Sequence, residues 1–215
     1  MKNAILALSL GLPLSANAAI YFPSNVINGN GSTDALIQNA NGSLNTGGFV
    51  AMGYFAAGYV VGPISSTEEM ANTIAAFNIV ASFNVGGISP SLSGAFPGYY
   101  EGLATPGGVI TAGNPLIGRM LYVFAGNFGT LLSSDEWAIK ALFPIADDVP
   151  NEQTYVGNPF GGISPVYGSF GAFSGNASGF GTSDYRTLQL ALIPEPSAAL
   201  LGAIGALGLL RRRRN

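Results

Sequence analysis

Cysteine and histidine are both absent from this chain of 215 residues. Without cysteine there is no disulfide and no thiolate nucleophile. Without histidine there is no imidazole base, no Ser-His-Asp or Cys-His pair, and none of the ligands most zinc and copper sites require. Charge is scarce too: Asp, Glu, Lys and Arg make up 9% of the residues, against about a quarter in typical domains. Glycine takes up part of the difference with 31 residues, roughly double its usual share. A hydrophobic fraction of 48% with 13 Phe, 9 Tyr and 1 Trp is ample for the core of one domain and argues against disorder throughout. Much of enzymology is excluded, no cofactor is expected, and structural and binding roles remain.

Some of the apolar content lies at the two ends. Residues 1–18 carry a basic Lys2, an apolar run over 4–14 and the small-residue triplet Ala16-Asn17-Ala18, the layout of a secretory signal peptide. The run is too short for a permanent bilayer span. Export by the Sec machinery and cleavage by signal peptidase after Ala18 are therefore expected; a buried N-terminal helix is the alternative.

At the other end Pro194-Glu195-Pro196-Ser197 precedes an apolar stretch over 198–210, followed by Arg211, Arg212, Arg213, Arg214 and Asn215. The prolines end whatever precedes them, because they lack a backbone donor and restrict the residue before. A helix over the thirteen apolar residues rises about 20 Å, short of a hydrocarbon core of about 30 Å. Flanking residues must then contribute and the arginines must snorkel. Arginines beside such a segment stay on the cytoplasmic side, so the expected arrangement is an exported body, a transmembrane helix and a cytoplasmic basic stop.

That order of P-E-P, short apolar helix and arginine cluster resembles the PEP-CTERM sorting signal of Gram-negative bacteria and covers residues 194–215. The resemblance implies processing by an exosortase that recognises Pro194, Glu195 and Pro196, transient residence in the inner membrane, and delivery to the cell surface or the extracellular matrix. The same tail is also classed as an ice-binding protein C-terminal domain; the body has no T-x-T repeat, so no thermal hysteresis is expected. An ordinary anchor left in place is the plainer alternative. The body is also similar to the β-rich ectodomains of uncharacterised PEP-CTERM proteins, through Gly118, Leu121 to Phe124, Glu136-Trp137 and Phe143-Pro144, a likeness that brings no catalytic residues with it.

Removing both ends changes the charge balance. Lys2 and the four arginines take five of the eight basic residues, and Glu195 takes one of the eleven acidic ones. Arg119, Lys140 and Arg186 then face ten carboxylates, a balance of −7. Three scattered cations make no phosphate-binding stripe, so nucleic acid is not an expected partner.

Within residues 19–193, short apolar runs alternate with Gly, Asn, Ser and Pro clusters, the pattern of many short strands joined by turns. Asn28-Gly29, Asn30-Gly31 and Asn41-Gly42 are hairpin-type dipeptides. Strands are expected over 48–55, with 59–61 as its partner, over 116–124, and over 136–143 with Glu136, Ala138 and Lys140 on a wet face. A last strand over 187–193 places Leu188, Leu190 and Leu192 on one face. Ser66-Thr67-Glu68-Glu69 fits a capping box, and Met70, Ile74 and Phe77 fall on one stripe of a helix of about ten residues. Gly-Gly-Ile-Ser-Pro occurs at 86–90 and again at 161–165; in so glycine-rich a chain chance is the favoured explanation, with a vestige of duplication or two similar connecting loops as the alternatives. The glycine- and serine-rich stretch 157–182 is expected to be a long loop with at most short strands.

Three places could carry chemistry. Asp147, Asp148, Asn151 and Glu152 gather oxygen ligands suited to calcium, but no D-x-D-x-D-G loop is present, and a solvated acidic turn is the better reading. Asp135 and Glu136 next to Trp137 offer a glycosidase two carboxylates, yet adjacent strand residues point to opposite faces. No G-x-S-x-G elbow exists, which leaves a Ser-Lys scheme on Lys140 as the only hydrolase route. The N-x-S sequons at Asn30, Asn41 and Asn176 read as idle in a bacterial chain.

The expected architecture is all-β, a sandwich or jelly roll with one short helix. The expected function is that of a non-enzymatic, exported surface or matrix protein associated with exopolysaccharide. A carbohydrate-binding module using exposed Tyr99, Tyr100 or Trp137, and a carbohydrate-active enzyme using Asp135, Glu136, Asp147 or Asp148, are the alternatives.

Overall fold

The computed structural model describes residues 20–22, 36–86, 96–100, 116–145, 154–156, 164–177 and 181–193. Their elements are β1 (Ile20–Phe22), β2 (Leu36–Gln38), β3 (Phe49–Phe55), α1 (Thr67–Ala75), β4 (Phe77–Asn84), β5 (Met120–Gly126), β6 (Glu136–Pro144), β7 (Thr154–Val156), β8 (Ser169–Ala177), β9 (Gly181–Gln189) and β10 (Ala191–Leu192). The described residues are mostly β-strand with one short helix, as the patterning predicts. Ala16 and Ala18, the motif Pro194, Glu195 and Pro196, the arginines 211–214, and Asp147, Asp148 and Glu152 lie outside the described residues.

Five strands form the main sheet in the order β10-β6-β5-β3-β4, every neighbouring pair antiparallel. A second sheet runs β2-β9-β8, with β2 parallel and β8 antiparallel to β9, and β1 pairs in parallel with β7. The alternation of β3 and β5 explains why both faces of the main sheet are apolar. Val50 and Val123 join Ile37 of β2 and Leu188 of β9 in one cluster, so the second sheet covers that face. Ala51, Phe55, Phe124, Trp137 and Ile139 point to the other face, where Phe77 of β4 joins them and Met70 of α1 packs over them. The rings of Phe55 and Phe77 lie 5.0 Å apart, and those of Phe77 and Phe124 meet edge to face at 5.4 Å. Burying each such ring contributes about 1.5–3 kcal/mol.

A bulge at Met52/Gly53 shifts the register between β3 and β4. Gly53 permits it, since a Cβ there would collide with the Asn78 carbonyl oxygen and lie 2.8 Å from the Phe77 ring. Helix α1 begins with the expected reciprocal cap: Glu69 N–H donates to Ser66 Oγ at 3.1 Å, and Ser66 N–H donates to the Glu69 carboxylate at 3.1 Å. Nine residues are too few for a stable isolated helix, so packing of Met70 and Thr73 holds it. The Thr73 hydroxyl donates to the Glu69 carbonyl at 2.8 Å and also lies 2.8 Å from the Tyr59 hydroxyl.

Several expectations are corrected. Phe77 belongs to β4 and not to the helix stripe, because the chain leaves α1 at Ala76 and pairs at once with Phe55. Residues 59–61 form no strand; the chain turns at Gly58 and leads into α1, and β4 and β5 flank β3 instead. Strand β5 begins only at Met120, after a turn closed by Arg119 N–H on the Leu116 carbonyl. The expected wet face of β6 is buried, with Ala138 and Lys140 both 0% exposed, because it is the face the second sheet covers. Residues 157–182 do not form one long loop, since β8 lies within them and β9 begins there, a nine-residue pair in continuous register. Leu188 and Leu190 share one buried cluster as expected, but Leu192 does not join them: the chain passes at Leu190 from the second sheet into the main one, and Leu192 is 56% exposed.

Candidate functional site

A cleft of about 350 Å³ opens between the turn that follows β2 and the loop that joins β5 to β6. The first wall is the expected Asn-Gly turn. Gly42 takes φ +88, Gly42 N–H donates to the Asn39 carbonyl at 2.9 Å, and Asn39 N–H donates to the Ser43 carbonyl at 2.8 Å. Positive φ costs glycine nothing, which is why the turn forms there.

The floor is an amide network. Asn45 is only 2% exposed, and its side chain uses its full capacity. Nδ2 donates to Asn39 Oδ1 at 2.7 Å and to the Asn127 carbonyl at 3.2 Å, while Oδ1 accepts from Gly47 N–H at 3.1 Å and Gly48 N–H at 2.5 Å. A buried amide satisfied in this way fixes its surroundings, whereas one left unpaired costs about 1–3 kcal/mol. Gly48 admits the arrangement, because a Cβ there would lie 2.6 Å from Asn45 Oδ1. Asn127 binds the start of β6 similarly: Oδ1 accepts from Asp135 N–H at 3.1 Å and Glu136 N–H at 3.3 Å, and Nδ2 donates to Asp135 Oδ1 at 2.5 Å. Glu136 completes the link, its Oε2 accepting from Ala40 N–H at 2.7 Å.

The second wall, residues 127–135, is braced from within. Phe128 N–H donates to Ser134 Oγ at 3.1 Å, Ser134 Oγ–H to the Thr130 carbonyl at 2.8 Å, and the Trp137 indole N–H to the Leu131 carbonyl at 2.9 Å. On this braced loop the Phe128 ring lines the cleft while 50% exposed. Glu136, Thr46 and Asn41 also line the opening, and the second oxygen of Glu136, the Thr46 hydroxyl and the Asn41 amide nitrogen have no hydrogen-bond partner among the described residues.

A smaller cleft of about 210 Å³ lies where β3 ends and β5 begins. Its aromatic lining is already engaged, with Phe55 stacked on Tyr59 at 5.2 Å and meeting Tyr122 edge to face at 4.9 Å. Arg119 beside it lies over the Tyr54 ring at 5.4 Å.

The expected sugar platforms are not surfaces. Tyr99, Tyr100 and Trp137 are all buried, Trp137 because its alternation points it at the α1 side of the main sheet. Burial pushes the Tyr100 hydroxyl far above the ordinary tyrosine range. Asp135 and Glu136 do not form a facing carboxylate pair; one is held by Asn127 and the other by the backbone of Ala40. Lys140 is buried on β6 with its Nζ on the Ala141 carbonyl, and burial lowers its pKa. Among the described residues no three acidic, histidine or cysteine side chains gather as a metal site, and no helix is long and apolar enough to cross a membrane. Phe128 and the asparagines were not legible as a site, because the turn and the loop that form it lie about eighty residues apart in the chain.

Compared with known proteins, the chain matches no family model, no curated protein and no solved structure.

Proposed function

We propose that the protein is a non-enzymatic, exported surface or matrix protein, sorted through its tail and associated with exopolysaccharide. The observation that carries this reading is the run Pro194-Glu195-Pro196, apolar residues 198–210 and Arg211 to Arg214, downstream of a leader ending at Ala18. Signal peptidase and an exosortase are the processing partners, and the inner membrane holds the chain only until processing. Two sheets sharing a core support a β-sandwich, jelly-roll-like body. Carbohydrate binding is the second reading, favoured by the amide-lined cleft beside Phe128.

Intact mass tests the sorting. In membrane and extracellular fractions of the native host, the extracellular form is expected to lack residues 1–18 and the arginine cluster. Replacing Pro194, Glu195 and Pro196 by alanine is expected to leave the tail attached and the protein in the membrane fraction. A tail kept by the natural chain in every fraction would reduce the reading to a plain anchor.

A further inference from the structure

We propose that the cleft between the β2 turn and the β5–β6 loop binds a neutral hexose unit of a polysaccharide, with Phe128 as the platform for the sugar ring and Glu136 as the hydroxyl acceptor. This rests on the reading of the chain as a protein associated with exopolysaccharide.

The groups left over by the network carry the argument. Asn45 and Asn127 are spent on the backbone and hold the cleft open. The residues that line the opening leave one carboxylate oxygen, one hydroxyl and one amide nitrogen unused, beside an aromatic ring without a ring partner among the described residues. A pyranose presents the complement: hydroxyls that donate to Glu136, hydroxyls that accept from Asn41 and both donate to and accept from Thr46, and a C–H face that covers a ring. The volume suits one or two sugar rings, at the small end of ligand sites. Charge selects among sugars. Among the described residues the cleft is lined by a carboxylate and no cation, and the body between the leader and the tail carries −7. A uronate or sulfated unit would be repelled, and a neutral hexose would not. The loop that bears Phe128 is already hydrogen-bonded in place, so binding orders little and affinity is not lost to loop closure.

The test uses the full-length chain in detergent, titrated calorimetrically with maltohexaose, cellohexaose and mannohexaose, and with hexagalacturonate as the charged counterpart. At least one neutral oligomer is expected to bind and the galacturonate is not. Phe128→Ala and Glu136→Gln are each expected to weaken binding tenfold or more. Gln keeps an oxygen for Ala40 N–H, so that variant preserves the fold. Val60→Ala, at a strongly exposed position beyond the opposite end of β3, is expected to change nothing. EDTA is expected to leave binding intact. Binding of none of the neutral oligomers, binding that survives both variants, preference for galacturonate, or loss in EDTA would each overturn the proposal. Co-sedimentation with the host's own polymer separates this from the wider reading. If the natural chain and both variants sediment equally, the cleft is wrong and the association stands; if the natural chain does not sediment, the association itself fails.

Discussion

Lys140 is the only lysine in residues 19–193, and it lies 0% exposed on β6. Its charge opposes folding, since burial disfavours the ammonium and lowers its pKa in the native state relative to the unfolded chain. The unfolded state then binds the proton more tightly, so stability rises with pH between the native and the unfolded value and is lower beneath both. Lys140→Met is expected to remove that alkaline rise, which urea midpoints measured across a pH series for the two proteins would show. A midpoint that climbs equally in both would locate the effect elsewhere. Single positions also show where patterning misleads. The alternation in β6 reads correctly as two faces, but nothing in the segment itself says that both are covered. Ala138 and Lys140 resemble a wet face, yet both are buried, Ala138 against residues of β2 and β9.

Local elements were the most legible part of the chain, because their signals lie within a few residues. The Ser66–Glu69 box forms as its spacing predicts, and the Asn41-Gly42 turn closes on the glycine that needs positive φ. Hydrogen bonds from the Ser65 backbone and hydroxyl, joined by those from Ser66, hold the Glu69 carboxyl below the usual range. That contribution is present above the unfolded pKa and is lost as pH falls through the lower native one. Ser66→Ala is expected to destabilise the protein by about 1 kcal/mol, the usual value of such a cap. Thermal denaturation would measure it, and no change in midpoint would mean that packing of Met70 and Thr73 alone sets the start of α1. Longer elements were read less well. The β8–β9 pair lies in a stretch whose glycines and serines signal loop, and it forms because backbone pairing across nine registered positions needs few large side chains.

The assembly as a whole depends on the passage from β9 to β10. Leu190 N–H donates to the Gln38 carbonyl at 2.8 Å, and the next two residues pair with Trp137 and Glu136 of the main sheet. Leu190 is also part of the cluster that both sheets share. Neither sheet can therefore lose its order without exposing the other. Unfolding is expected to be one transition, with Trp137 fluorescence and far-ultraviolet circular dichroism following the same denaturant curve. Two separated curves would mean that the second sheet opens by itself. The same long-range closure makes the cleft: Asn45 and Asn127 meet only because β3 lies beside β5, and Glu136 reaches Ala40 only because β6 lies beyond.

Composition and local pattern were enough to determine the β-rich class, the helix with its cap, the acidic balance of residues 19–193, and the exclusion of chemistry that needs histidine or cysteine. These follow from residue type and from spacings of two to four positions, which the chain carries wherever it folds. The tertiary structure alone decided which strands are neighbours, that the main sheet is buried on both faces, that Tyr99, Tyr100 and Trp137 are core, and that Phe128 is left at the mouth of a cleft. Those outcomes depend on contacts between segments far apart in sequence, where burial is set by the partner that arrives and not by the residue that waits for it.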